Sequence, residues 1–225
     1  MQGLLHLSPI SDAVVVVDIL SFSTAVDIVV ANGAFVLPYR WKDDSAAQFA
    51  KEKHAQLACR RRSQGSSSLS PASLLSIPSG AALVLPSPNG STLCLSSAND
   101  VPTFTACFRN APAIAAHMAG FAGRVAVIPA GERWSDSSLR PCLEDLIGAG
   151  AVLSMLSGSR SPEADLAVAA FERLRSDLRG ALSHCGSGQE LIEHGFACDI
   201  ELASEYSVSS AVPMLAGDRF VGCAR

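Results

Sequence analysis

With 225 residues, 48% of them hydrophobic and 17% charged, the chain can bury a sizeable core in one domain or two closely packed lobes, and is too apolar for general disorder. A formal net charge of −4 offers no field that would draw it to nucleic acid. The seven cysteines are scattered, odd in number and free of any CxxC pair, which reads as reduced thiols in a cytoplasmic protein, and every long apolar stretch is interrupted by Asp, Asn or Pro, so neither a secretory leader nor a membrane span is expected.

The first element is the run Ala13-Val14-Val15-Val16-Val17, which suits a strand buried on both faces of a parallel sheet and stops at Asp18. Ligands bind where such strands end, and Ser21, Ser23 and Thr24 are hydroxyls able to cap the following helix beside any anion held there. An Asp followed by a serine cap is equally common connector chemistry. A helix over 27–31 closes at Asn32-Gly33.

Residues 60–80 are rich in Ser, Arg, Gly and Pro and predict a loop or flap over the site. Three further apolar stretches, 81–85, 103–107 and 124–129, repeat the plan of a short strand ending in a polar loop. The first loop carries Asn89, Gly90, Ser91 and Thr92, a tight turn with two hydroxyls that could cradle an anion or be an ordinary Asn-Gly turn. The second carries Arg109 and Asn110, and the third Glu132 and Arg133. Arginine's planar fork suits bidentate contact with an oxyanion, so Arg109 and Arg133 are candidate clamps.

Helices are predicted over 111–119 and 143–156, the latter opening with Glu144-Asp145, acids that suit both a helix dipole and a hard cation. Ser161-Pro162 starts one amphipathic helix through about Leu182. In the tail, Pro213 demotes any strand around it to a sheet edge. Alternating strands and helices imply an α/β fold of three layers, α/β/α, with a parallel or mixed sheet.

Several chemistries are excluded. No cysteine is followed six residues later by the arginine of a cysteine-dependent phosphatase, and Leu20 stands where an Asp-x-Asp-x-Thr motif needs its second acid. Gly186-Ser187-Gly188 opens like a dinucleotide loop but has Leu191 in place of the third glycine, no phosphate-loop lysine exists, and the five histidines are dispersed. What survives is a set of carboxylates and oxyanion donors on loops that would converge at one edge of a parallel sheet.

In order along the chain, Val17-Asp18-Ile19-Leu20 with Ser23-Thr24, Ala31-Asn32-Gly33-Ala34, Ser87-Pro88-Asn89-Gly90-Ser91, Phe108-Arg109-Asn110-Ala111, Ala130-Gly131-Glu132, Glu144-Asp145 with Ala149-Gly150, Gly195-Phe196 with Asp199-Ile200, and Val212-Pro213 resemble the 2-phosphosulfolactate phosphatase (ComB) family. The resemblance implies an α/β fold and a Mg²⁺-dependent phosphatase acting on 2-phosphosulfolactate on the route to coenzyme M. The chain departs from the family at Ser21, where members carry arginine, and at residues 59–65, where a Gly-Glu-Arg-Gly-Gly stretch is replaced by Cys59-Arg60-Arg61-Arg62-Ser63-Gln64-Gly65. A related small phosphorylated acid is equally compatible with these residues.

The expected chemistry is in-line attack of Mg²⁺-activated water on the phosphoryl group. Asp18 with Glu144 or Asp145 would hold the metal, and Glu132 would be the general base. Residues 89–92 with Arg109 and Asn110 would receive phosphoryl oxygens, and Arg133 or Arg60 to Arg62 the second acid group. A covalent aspartyl-phosphate on Asp18 stays open, as does a catalytically inactive phosphometabolite-binding protein on the same fold. The expected partners are a small phosphorylated acid and, compatibly, a second copy of the chain; a membrane is not among them.

Overall fold

The computed structural model describes residues 1–41, 43–59, 68–97, 100–121 and 123–223. Among these, eight strands form one sheet in the order β3-β4-β2-β10-β9-β5-β1-β6. The strands are β1 (Ala13–Val17), β2 (Phe35–Tyr39), β3 (Gln56–Leu57), β4 (Ala82–Pro86), β5 (Thr103–Ala106), β6 (Val125–Pro129), β9 (Pro213–Ala216) and β10 (Arg219–Gly222). A separate two-stranded ribbon joins β7 (Glu132–Arg133) to β8 (Leu139–Arg140).

The helices are α1 (Gln2–Leu7), α2 (Phe22–Ala31), α3 (Ser45–Glu52), α4 (Gly90–Cys94), α5 (Ala111–Met118), α6 (Leu143–Leu153), α7 (Pro162–Leu174), α8 (Leu178–His184), α9 (Gly186–Glu193) and α10 (Ala197–Ser204).

The sheet is mixed. Strands β5, β1 and β6 form one parallel trio and β3, β4 and β2 another, while the antiparallel hairpin β9-β10 lies between them. Because β9 pairs antiparallel with β5 and β10 antiparallel with β2, the two trios run in opposite senses along the sheet. The expected single edge of a parallel sheet is therefore replaced by the ends of two opposed trios, which meet where α4 packs against β1.

All five residues of β1 are buried, as a strand covered on both faces requires. Val14 and Val16 face one core with α2, Leu83, Leu85 and Phe220, and Val15 and Val17 face the other with Phe104, Phe108, Ile147 and Phe171. These two cores are the seams of the three-layer α/β/α arrangement.

Two expectations need correction. Pro213 does not lie on a sheet edge: it is the first residue of β9, an interior strand, and a first position tolerates a missing N–H. The long helix through Leu182 is two, because Asp177 accepts from Gly180 N–H at 2.8 Å and so caps a new helix after the 3₁₀ turn Arg175–Asp177. Its predicted start holds, with Ser161 capping Ala164 N–H at 3.3 Å and Pro162 at the first position.

Candidate active site

The β1–α2 connection and the start of α4 meet at Asp18. Phe22 N–H donates to its Oδ1 at 3.2 Å, and Gly90 N–H donates to its Oδ2 at 3.0 Å, so one carboxylate ties together the ends of the two opposed trios. This contact needs glycine at position 90: a Cβ there would lie 2.3 Å from the Phe22 ring and 2.7 Å from Asp18 Oδ2. Asp145, in the first turn of α6, accepts from Ile19 N–H and Gly131 N–H, each at 2.8 Å, and joins the loops after β1 and β6 in the same way. Across the opening, Asn89 Nδ2 donates to Glu132 Oε1 at 2.5 Å, and Arg133 N–H donates to the same oxygen at 3.0 Å.

These residues border a single cleft. Asp18, Glu132, Glu144 and Asp145 line it with the hydroxyls of Ser21, Ser87 and Ser187, the amide of Asn89, the Cys142 thiol, and an apolar side that includes Phe22, Leu69 and Leu85. No lysine or arginine is among its described lining residues. The electrostatics follow: burial, with the negative charges of Glu132 and Glu144, raises the Asp18 carboxyl to about 6 against the hydrogen bonds that oppose it. Burial and the charges of Asp18 and Glu144 raise Asp145 well above the usual carboxylate range. Burial also pushes the Cys142 thiol to about 12, which leaves it a poor nucleophile.

The other expected site residues lie elsewhere. Arg109 turns away from the cleft: its Nε donates to Asp27 at 2.9 Å and its guanidinium also pairs with Glu205. Arg133 is exposed and donates to Ser137 O at 2.9 Å. Asn110 is buried, accepting from Cys107 N–H at 2.9 Å and donating to Ala211 O at 3.3 Å. Ser23 and Thr24 are fully buried; Ser23 pairs with Thr105 at 2.5 Å and Thr24 donates to Ile19 O at 2.8 Å. Ser91 donates to Leu85 O at 3.0 Å, and Thr92 does not line the cleft. These hydroxyls and amides hold the loops from behind. Arg60, Arg61 and Arg62 lie outside the described residues, whereas Leu69, from the second part of the predicted flap, lines the cleft.

Sequence reasoning missed Ser187 and Cys142. A signal existed for Ser187: Cys185 accepts from Gly188 N–H at 3.4 Å and caps α9, which sets Ser187 in its first turn.

The sequence profile of the 2-phosphosulpholactate phosphatase family matches residues 2–218. The chain belongs to this family. Similar curated proteins are a "Probable 2-phosphosulfolactate phosphatase" of Pseudothermotoga lettingae, 27% identical over 56% of this chain and 54% of that protein, and one of the same name from Carboxydothermus hydrogenoformans, 29% identical over 60% and 55%. The chain thus spans about half the length of the curated relatives it matches. Among the described residues no helix is long and apolar enough to cross a membrane.

Proposed function

We propose that the protein is a phosphoric monoester hydrolase acting on a small phosphorylated hydroxy acid, 2-phosphosulfolactate or a close relative, with Mg²⁺. The observation that carries this reading is the gathering of Asp18, Glu132, Glu144 and Asp145 around one cleft in a chain of the 2-phosphosulpholactate phosphatase family. Its thiol is too weakly acidic for cysteine chemistry.

The carboxylates and hydroxyls of the cleft fit a hard cation. Among the described residues no three acidic, histidine or cysteine side chains already converge as a closed cation site. Mg²⁺ takes one or two carboxylates and completes its shell with water and substrate oxygens. Asp18 with Glu144 or Asp145 would hold it, since a carboxylate oxygen that accepts one amide N–H keeps a lone pair for a cation. Bound there, Mg²⁺ would neutralise phosphoryl oxygens and acidify water.

The remaining work falls to this chain. The hydroxyls of Ser21, Ser87 and Ser187 line the cleft and would donate to phosphoryl oxygens. Glu132 would accept the proton of the attacking water through Oε2, because its Oε1 is committed to Asn89 and Arg133 N–H. Asn89 fixes the orientation of that carboxylate. Phe22, Leu69 and Leu85 would exclude bulk water along the other side.

A panel of phosphorylated hydroxy acids assayed for phosphate release with Mg²⁺ and with EDTA tests the proposal. Release that depends on Mg²⁺ is expected. No release from any member, with ligands nonetheless raising Tm, would instead leave a binding protein.

A further inference from the structure

The Asp199-Ile200 motif has no place in the chemistry above, yet its carboxylate is fully buried on α10, away from the cleft. Asp199 Oδ1 accepts from the Ser70 hydroxyl and, at 3.3 Å, from Ala72 N–H. These two donors belong to the short segment that carries Leu69 into the cleft wall.

That segment is stapled by its own serines. Ser68 N–H donates to Ser73 Oγ at 2.9 Å, Ser70 N–H to Ser68 Oγ at 3.1 Å, and Ser73 Oγ to Ser70 O at 2.7 Å. Leu74, at the end of the 3₁₀ turn Pro71–Leu74, is fully buried in the core beside α2. The result is a compact unit held from outside by Leu74 in the core, by Cys59 O, which accepts from Leu69 N–H at 3.3 Å, and by Asp199 under Ser70 and Ala72. A buried carboxylate with two donors from one short turn is a directional anchor, stronger than a contact between neutral groups. Leu69 lies between the Cys59 O bond on its own N–H and the Ser70 hydroxyl, so Asp199 fixes the C-terminal side of this wall.

We infer that Asp199 is a positioning residue for the cleft: by holding Ser70 and Ala72 it sets Leu69 as a fixed apolar wall against which the substrate's carbon frame packs. The inference rests on the phosphatase reading above. Asp199 touches no reacting atom, so its loss acts on substrate fit more than on the chemical step.

The test compares Asp199→Ala, Asp199→Asn, Ser70→Ala and Leu69→Ala, and the double variant Asp199→Ala/Leu69→Ala, in hydrolysis of 2-phosphosulfolactate and 2-phospholactate. Asp199→Ala and Leu69→Ala should each raise KM about tenfold with kcat within about twofold, as expected for a lost packing contact a short distance from the chemistry. The double variant should be no worse than the poorer single one, because both act through the same wall. Asp199→Asn keeps one acceptor oxygen and should recover part of the loss. A purely structural role predicts a lower Tm with KM per folded enzyme unchanged, or KM effects that multiply in the double variant, and either result overturns the inference. Should Asp199→Ala fail to fold, Ser70→Ala gives the same readout, since Asp199 then keeps Ala72 N–H. If the wild type hydrolyses neither compound, the phosphatase reading falls, and Kd for the same compounds by calorimetry replaces KM. Absent binding, or an unchanged Kd in Ser70→Ala and Asp199→Ala, then refutes the positioning role.

Discussion

Two regions of the molecule, the Arg109 loop and the cleft, treat their buried carboxylates in opposite ways. Behind the Arg109 loop, Asp27 is fully buried on α2, and Arg109 Nε at 2.9 Å and the Ser209 hydroxyl at 2.6 Å satisfy it. Burial pushes the Asp27 carboxyl up, while Ser209 and Arg109 pull it back. In the cleft, Asp18 and Asp145 are almost as buried but, among the described residues, receive only backbone N–H groups, with further negative charges beside them and no described cation in the lining. A paired buried charge is an ordinary part of a fold, whereas several like charges gathered in one cleft with raised pKa values point to a functional site. Several acids crowded together without a described cation make the cleft the candidate site, whereas Arg109 already has its acids.

The largest expected effect comes from removing the central unpaired acid. Asp18→Ala should lower kcat/KM for the phosphorylated acid by about 10³-fold or more, the scale of losing a group that acts on the reacting centre. Circular dichroism should show the fold retained. Activity within tenfold of wild type would break the contrast at once, because the unpaired carboxylate would then be as structural as Asp27.

The paired side makes the converse prediction. Arg109→Ala leaves Asp27 buried without its cation and should cost about 3–5 kcal/mol in denaturant unfolding, while folded protein keeps its kcat/KM within a few-fold. The sign with pH follows. Asp27 already has a raised folded pKa, and removing Arg109 raises it further. The folded state then binds its proton more tightly than the unfolded state does. Stability of the variant should therefore fall as pH climbs above the usual Asp range near 4, more steeply than in wild type. A variant of wild-type stability but without activity would move Arg109 back into the site.

Much of this was legible in the chain. Strands β1, β4, β5 and β6 fall within a residue or so of the apolar runs that predict them, because a strand buried on both faces needs continuous apolar sequence. β2 was not read as a strand and any strand around Pro213 was placed at an edge, so the reversal of sense between the trios went unread. Pro38 and Pro213 hide those strands, although neither proline prevents pairing there. Of the cleft's carboxylates, Asp18 and Glu132 were legible just past apolar runs and Glu144-Asp145 at the opening of a helix. Arg109 was misplaced because its partners Asp27 and Glu205 lie 82 and 96 residues away in sequence. The acid anchoring Leu69 is likewise 129 residues from Ser70. Pairing of that range is tertiary, and one-dimensional pattern carries no trace of it.

A third test sharpens the cleft side through linkage. With its pKa raised to about 6, Asp18 stays protonated at pH values where an exposed Asp is ionised, and the proton competes with any cation for the same oxygens. Affinity for Mg²⁺ by calorimetry should therefore be flat above about pH 7 and weaken by up to about tenfold per unit as pH falls below about 6. Glu132→Gln removes a negative charge that raises the Asp18 pKa and should shift that bend to lower pH. Affinity that bends instead near pH 4 would mean that Asp18 is not the carboxylate that competes.

The smallest effect belongs to Arg133, the other cation that sequence pattern suggests as a substrate clamp. Its guanidinium is exposed and bonds a carbonyl of its own hairpin, Ser137 O, while only its backbone N–H reaches Glu132. Alanine at 133 keeps that N–H and so keeps the orientation of the Glu132 carboxylate. KM and kcat should stay within about twofold, and stability within about 0.5 kcal/mol, as for an exposed side chain with no buried partner. A tenfold rise in KM confined to substrates with a second acid group would show that this arginine swings over the cleft when an anion arrives. The unpaired acids would then acquire a cation only in the complex, and the contrast with Asp27 would describe the free protein alone.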